Sequence, residues 1–146
     1  MSVIFHTNSA DETIELGRKI GSFLKKGDVI ALQGGLAAGK TTITKGIASS
    51  LGVKDEITSP TFCLISEYEG KTPLYHMDIY RLEGTDDFMS LGAEDFIYGN
   101  GVSVIEWSEK IMDELPDKTI IISLEAKDGS DERAISIENW PYGPVA

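Results

Sequence analysis

Hydrophobic positions along the chain change period several times, and each change marks an element. Residues 3–5 (Val-Ile-Phe) are a short apolar run and predict a strand. Ser9 and Glu12 then form a capping-box pair that opens a helix, in which Ala10, Ile14, Gly17, Ile20 and Leu24 recur every three or four residues until Gly27 ends the unit. Residues 28–33 (Asp-Val-Ile-Ala-Leu-Gln) read as a buried strand, and residues 41–51 as a helix whose stop is Leu51-Gly52, with the glycine suited to a left-handed cap. Residues 55–61, which include Ser59-Pro60-Thr61, read as a loop. Two strands at 62–69 and 74–81 flank Gly70-Lys71-Thr72-Pro73, a short connection that fits an antiparallel hairpin. Thr85-Asp86-Asp87 caps a short helix, 93–98 is a candidate for another, and 102–106 is a β-branched strand leading into Trp107. A closing hairpin pairs 119–125 with 133–137 around Asp128-Gly129-Ser130.

This order fits one three-layer α/β domain over residues 1–138, with helices on both faces of a mixed, mostly parallel sheet and antiparallel hairpins. Residues 139–146, with Pro141 and Pro144, are expected to be a loosely ordered tail. There is no internal repeat and no low-complexity segment. At 146 residues the chain has room for one core but not for an added lid domain.

Charge narrows the partners. Thirteen basic and twenty-four acidic residues give a net charge of −11 without any Lys/Arg block. Such a surface repels a phosphate backbone, so any role near RNA is expected to run through a partner protein. Cys63 is the only cysteine, which excludes an internal disulfide and fits a reducing compartment. No span approaches eighteen apolar residues and the start lacks a targeting pattern, so a cytoplasmic protein without membrane association, monomeric when alone, is expected.

The chemistry begins at Gly34-Gly35-Leu36-Ala37-Ala38-Gly39-Lys40-Thr41, which fits G-x-x-x-x-G-K-[ST], between a predicted strand and a predicted helix. In such a loop successive backbone N–H groups ring the phosphates and the helix adds its positive end. Lys40 supplies a point charge, and the Thr41 hydroxyl suits an octahedral Mg²⁺ that keeps several waters. Ala37 stands where many such loops carry glycine, and a positive φ there would cost alanine about 1–2 kcal/mol. The loop also needs a carboxylate near the metal. Glu106 closes an apolar strand, and Asp78 lies within Tyr75-His76-Met77-Asp78-Ile79-Tyr80-Arg81; each also reads as an ordinary surface acid, Asp78 with Arg81 as a neighbour. His76 reads either as a general base or as a hydrogen-bonded structural residue. Trp107 reads as a ring at the site or as core edge, and Ser59-Pro60-Thr61 as a switch loop or a plain turn.

Three arginines (Arg18, Arg81, Arg133) are few for a kinase that must neutralise a second substrate. No Asn-Lys-x-Asp run reads guanine, so adenine is the expected base. Few groups stabilise transition-state charge, so slow intrinsic turnover is expected.

Four blocks carry a family resemblance: residues 36–42 (Leu-Ala-Ala-Gly-Lys-Thr-Thr), 58–62 (Thr-Ser-Pro-Thr-Phe), 75–82 (Tyr-His-Met-Asp-Ile-Tyr-Arg-Leu) and 105–109 (Ile-Glu-Trp-Ser-Glu). In order and spacing they resemble the bacterial TsaE family, also called YjeE, over nearly the whole chain to about residue 137. The resemblance implies an ATPase that supports threonylcarbamoyladenosine formation on tRNA beside the anticodon, acting with TsaB and TsaD and meeting tRNA only indirectly. It places Lys40 at the phosphates, Thr41 and Glu106 at Mg²⁺, Asp78 close to the metal and residues 59–61 in a switch-like loop that includes Thr61. By the same resemblance, residues 34–42 with Thr42, Trp107 and Arg133 face the nucleotide. The family commonly reads Gly-Asp-Leu-Gly-Ala-Gly-Lys-Thr, so Gly35 and Ala37 are departures that bear on affinity and rate. Two other readings remain beside the ATPase: a nucleotide-gated binding module with incidental hydrolysis, and a small-molecule kinase.

Overall fold

Residues 2–35, 38–57, 65–78, 99–106, 115–127 and 131–144 are described in the computed structural model. The elements are β1 (Ser2–Thr7), α1 (Ala10–Gly21), β2 (Val29–Gln33), α2 (Lys40–Ser50), β3 (Ile65–Tyr68), β4 (Leu74–Asp78), β5 (Val102–Glu106), β6 (Ile120–Ala126) and β7 (Arg133–Glu138). They form a mixed α/β fold on one seven-stranded sheet in the order β1-β7-β6-β2-β5-β4-β3. The four central strands β6, β2, β5 and β4 run parallel, whereas β1, β7 and β3 join antiparallel at the flanks. Composition explains the split. β2 and β5 are apolar almost throughout and buried along their length, as a strand covered on both faces must be, while β6 alternates buried and open positions.

One face of the sheet carries the main core. Ile30 and Leu32 of β2, Val102 and Val104 of β5, and Ile120 and Ile122 of β6 pack with Ile20 of α1 and Ile43 and Ile47 of α2. The predicted helices at 85 onward and 93–98, the turn at 128–130, Cys63 and Arg81 lie outside the described residues, as do residues 62–64 and 79–81 of the expected hairpin strands.

Helix α1 begins as its capping pair predicts: the Ser9 hydroxyl accepts from Glu12 N–H at 3.1 Å. The Glu12 carboxylate, however, accepts from Asn8 N–H at 3.0 Å, one residue before the cap. The buried stripe is also displaced from the predicted one. It runs through Thr13, Leu16, Gly17, Ile20 and Gly21, while Ala10 is exposed and Ile14 only partly covered. The cause is a contact between helix backbones. A Cβ on Gly46 of α2 would stand 2.0 Å from the Ile14 carbonyl oxygen, and one on Gly17 would stand 2.4 Å from that of Ile43. Glycines therefore define the face, and Thr13 can join it because its hydroxyl pairs with Thr7 at 2.7 Å. Helix α2 stops as expected, with Leu51 as cap and Gly52 left-handed at φ +81°.

The segment after β7, expected to be a loose tail, carries two aromatic anchors. Trp140 meets the ring of Phe23 edge-on at 5.6 Å and Tyr142 stacks on it at 6.2 Å. Their polar ends are satisfied: Trp140 Nε1 donates to the Gly143 carbonyl at 2.8 Å, and the Tyr142 hydroxyl donates to Asp28 at 2.6 Å. An amphipathic ring with its tip hydrogen-bonded docks at low entropic cost, which the prolines of this segment did not disclose.

In an ordinary helix interior alanine is favoured over glycine by about 0.8–1 kcal/mol. Gly46→Ala is expected to reverse that sign here, because the new methyl meets backbone: a loss of about 1–3 kcal/mol, read as a Tm lower by roughly 2–4 °C per kcal/mol in thermal unfolding. A raised Tm would show that the helices part freely. At the other end, burial first, then the hydrogen bond to Asp28 and its charge, push the Tyr142 hydroxyl up to about 12. The folded state thus holds a proton that the unfolded chain, ionising near 10, gives up, so this contribution is complete below pH ~10 and is lost as pH rises towards ~12. Ultraviolet titration should find one late-ionising tyrosine, absent in Tyr142→Phe.

Candidate functional site

Parallel pairing places the last residues of β2, β4 and β5, as described, at one edge of the sheet. Leu32 of β2 lies beside Glu106 of β5, and Glu106 beside Asp78 of β4. Gln33 ends β2, and the chain turns at once into the glycine-rich loop.

The loop's described residues explain its composition. Gly34 has φ +146°, and a Cβ there would meet the Leu124 carbonyl oxygen at 2.6 Å, so no side chain fits. Gly39 caps α2 in the left-handed region at φ +102°. Gly35 is different: it is exposed, its φ is not positive, and a side chain there would meet open space. The two helices also start differently. α1 has a serine cap and two acids, Asp11 and Glu12, in its first turn, whereas α2 has no side-chain cap and no acid in its first turn. The positive end of α2 is thus left without a neighbouring carboxylate of its own, the arrangement that suits an anion.

Two cations brace the loop. Lys40, 6% exposed, donates from Nζ to the Gly34 carbonyl at 2.8 Å, folding back over the turn. Arg133, which opens β7, donates from Nε to the Ala38 carbonyl at 3.0 Å and from Nη1 to the Glu132 carbonyl at 2.9 Å. Thr41 and Thr42 sit half-buried in the first turn of α2.

The acids differ in exposure. Glu106 is 3% exposed and Asp78 is half-buried. By strand alternation Leu74, His76 and Asp78 share one face, and Val102, Val104 and Glu106 the corresponding face, which is the one α2 covers. His76 is fully buried, and its Nε2 contacts Glu106 Oε2. Its Nδ1 has no hydrogen-bond partner among the described residues. The pairing of His76 with Glu106 was not foreseen from sequence, although the i, i+2 spacing of His76 and Asp78 on a strand beside β5 was the available signal.

The structure therefore brings Gly34, Gly35, Ala38, Gly39, Lys40, Thr41, Thr42 and Arg133 into or against one loop, and aligns Asp78 with Glu106 at the strand ends. Leu36, Ala37, Thr61 and Trp107 lie outside the described residues. Among the described residues no three His, Cys, Asp or Glu side chains cluster as a ready metal cage. The oxygen-bearing side chains of Thr41, Asp78 and Glu106 are of a kind that suits a hard cation carrying its own waters rather than a softer metal. Among the described residues, a hollow of about 480 Å³ shares only Gly34 with the loop; Ile4, Gln33, Ser123 and Ser136 line it. No described helix is long and apolar enough to cross a membrane.

Comparison with known proteins gives this geometry a family. The family model described as "Threonylcarbamoyl adenosine biosynthesis protein TsaE" matches residues 7–135, from the end of β1 into β7, and so spans every site residue named here. The tRNA threonylcarbamoyladenosine biosynthesis protein TsaE of Treponema pallidum (strain Nichols) is 48% identical over 131 residues, 89% of this chain and 97% of that protein. Its counterpart from Bacillus subtilis (strain 168) is 42% identical over 133 residues, 90% of this chain and 82% of that protein. In three dimensions the crystal structure of Bacillus subtilus YdiB superposes with a TM-score of 0.77 at 38% identity, covering 94% of this chain and 84% of that one. On sequence, fold and the span of the match, the chain belongs to the TsaE family, whose members serve in tRNA threonylcarbamoyladenosine biosynthesis.

Proposed function

We propose that this chain binds ATP with Mg²⁺ at the residue 34–41 loop and hydrolyses it slowly, as the nucleotide-driven step of tRNA threonylcarbamoyladenosine formation, in association with TsaB and TsaD. The observation that carries the reading is the loop itself: Gly34 and Gly39 with positive φ, Lys40 folded over the turn, and an uncapped α2 behind it. In this reading Lys40 leaves the Gly34 carbonyl for a phosphate oxygen, a better acceptor because it is charged. The backbone N–H groups at the start of α2 complete the cradle, and Arg133, already against Ala38, lies close enough to the loop to add a second positive charge.

Thr41, Glu106 and Asp78 would hold Mg²⁺ directly or through its waters. When bound, the metal neutralises phosphate charge and orients the terminal group. Glu106 and Asp78 contribute negative charge at the strand ends, which favours a cation there and disfavours an unaccompanied nucleotide. Thr61 and Trp107 belong to this reading as a hydroxyl in a switch loop and a ring beside the site. Among the described residues Lys40 and Arg133 are the cations against the loop, and with these alone little charge would stabilise a transition state, so partner-stimulated turnover is expected. The net charge of −11 fits a protein that reaches tRNA only through other proteins, and a cytoplasmic location fits that work.

A second reading is favoured by the same shortage of cations: ATP orders a switch segment and the ordered face docks a partner, with hydrolysis incidental. A variant that binds ATP without cleaving it separates the two. It loses multiple-turnover tRNA modification in the first and keeps it in the second.

Lys40→Ala is expected to weaken MgATP binding by about 10- to 100-fold, the range for a lost hydrogen bond to a charged group, as read by calorimetric titration. Unchanged affinity would remove the loop from the proposal. Glu106→Gln, which keeps a partner for His76, is expected to reduce phosphate release about 100-fold, comparable to loss of an electrostatic stabiliser, while ATP affinity changes by less than about five-fold. The assay includes TsaB and TsaD, and wild-type turnover in the variant would remove Glu106 from the chemistry.

A further inference from the structure

Among the polar side chains within the described core, His76 is not explained by packing. It is fully buried, between Leu74 and Asp78 on the face that packs against α2, and its strand neighbours in register are Val104 and Ser66. A carboxylate oxygen accepts hydrogen bonds, so in the contact with Glu106 the donor is His76 Nε2. Nδ1 is then left in the core without a partner among the described residues. A buried polar atom in that condition is destabilising. Leucine or methionine, used at neighbouring positions 74 and 77, would fill a core position without that cost.

Glu106, meanwhile, has a reason to need an anchor. It is a long side chain directly beside Asp78 in a parallel pair, where adjacent strands lie about 4.8 Å apart. Two carboxylates so placed repel, and an unanchored glutamate relieves the repulsion by rotating away.

We propose that His76 is a positioning residue: by donating from Nε2 to one carboxylate oxygen, it fixes the rotamer of Glu106 and leaves the second oxygen for a Mg²⁺–nucleotide complex at the loop. The assignment rests on the ATPase reading for what Glu106 does, but not for whether His76 holds it. His76 does not touch the reacting atoms. Its contribution is geometric, and displacing a group at such a site by about 1 Å is enough to lower a rate by two orders of magnitude.

The two amides distinguish the atoms. Glutamine carries its amide nitrogen near where Nε2 lies and can donate to Glu106; asparagine carries its amide near Nδ1 and cannot reach. His76→Asn and His76→Gln are compared with the wild type by thermal unfolding, by phosphate release from MgATP with TsaB and TsaD present, and by Mn²⁺ affinity in the presence of a non-hydrolysable ATP analogue, followed by electron paramagnetic resonance. In His76→Asn turnover should fall about 30- to 100-fold, with Mn²⁺ bound several-fold more weakly and analogue affinity within about three-fold. His76→Gln should recover turnover to within about five-fold of wild type and restore Mn²⁺ affinity, although its Tm falls as far as that of His76→Asn. Wild-type behaviour in both variants overturns the proposal, and so does equal loss in both in step with Tm. If the wild type itself releases no more phosphate than Lys40→Ala, the ATPase reading fails. The Mn²⁺ measurement then decides His76 alone: weakening in the asparagine variant with recovery in the glutamine variant upholds it, and no change in either overturns it.

Discussion

The parallel pairing of β4, β5 and β2 is the constraint on which the rest of the structure depends. Parallel strands end together, so a loop leaving β2 and acids on β5 and β4 are brought to one edge without any side chain having to reach far. Antiparallel neighbours would send the same residues to opposite ends. That pairing is only affordable if both faces are dry, which is why Val29 to Leu32 and Val102 to Ile105 are so uniformly buried. Register then does the finer work. Because the side-chain period is two, a slip of one residue would turn Glu106 and His76 away from the α2 face and exchange them for Ile105 and Met77.

Aiming α2 is the second requirement, and it is met by the absence of side chains. Gly17 and Gly21 on α1 and Gly46 on α2 let two backbones touch, so the helix that begins at Lys40 is held by a rigid contact rather than by a layer of adaptable rotamers. Isoleucines on either side fill the remaining space: Ile20, Ile43 and Ile47 are fully buried, each worth about 1.5–3 kcal/mol against exposure. A loop proposed to cradle a ligand gains from a helix held in this way.

Much of this was legible in the chain before any coordinates. The segment from Asp28 to Leu51 could be read almost residue by residue, because strand, glycine turn and helix are local and each is announced by its own residue types. Glu106 was legible as the end of an apolar strand. Three features were not, and for a common reason: each is a contact between segments distant in sequence. The stripe on α1 was misplaced because Ala10 looks apolar, while Thr13 becomes a core residue only when Thr7 is opposite it. The docking of 139–144 was hidden because Phe23 and Asp28, which hold it, lie more than a hundred residues away. His76 looked like a lone histidine until β4 and β5 were placed side by side.

The pairing of His76 with Glu106 also runs against the economy of the core. Burying hydrogen-bonded polar side chains is seldom a net gain over apolar residues of similar volume, since desolvation offsets most of the attraction. At most other buried positions of these strands the chain takes the apolar option, as at Val104, Ile105, Leu74 and Met77, with the small Ser103 as an exception. The pair of His76 and Glu106 falls at the one edge where the loop, Asp78 and the start of α2 converge. In the proposed reading, a buried polar pair at that edge exchanges some stability for chemistry. On that reading the acids would seat a cation, and the loop and helix an anion. Lys40 is folded onto its own loop and Glu106 contacts His76, and in the proposed reading a ligand carrying both charges would engage the two halves together.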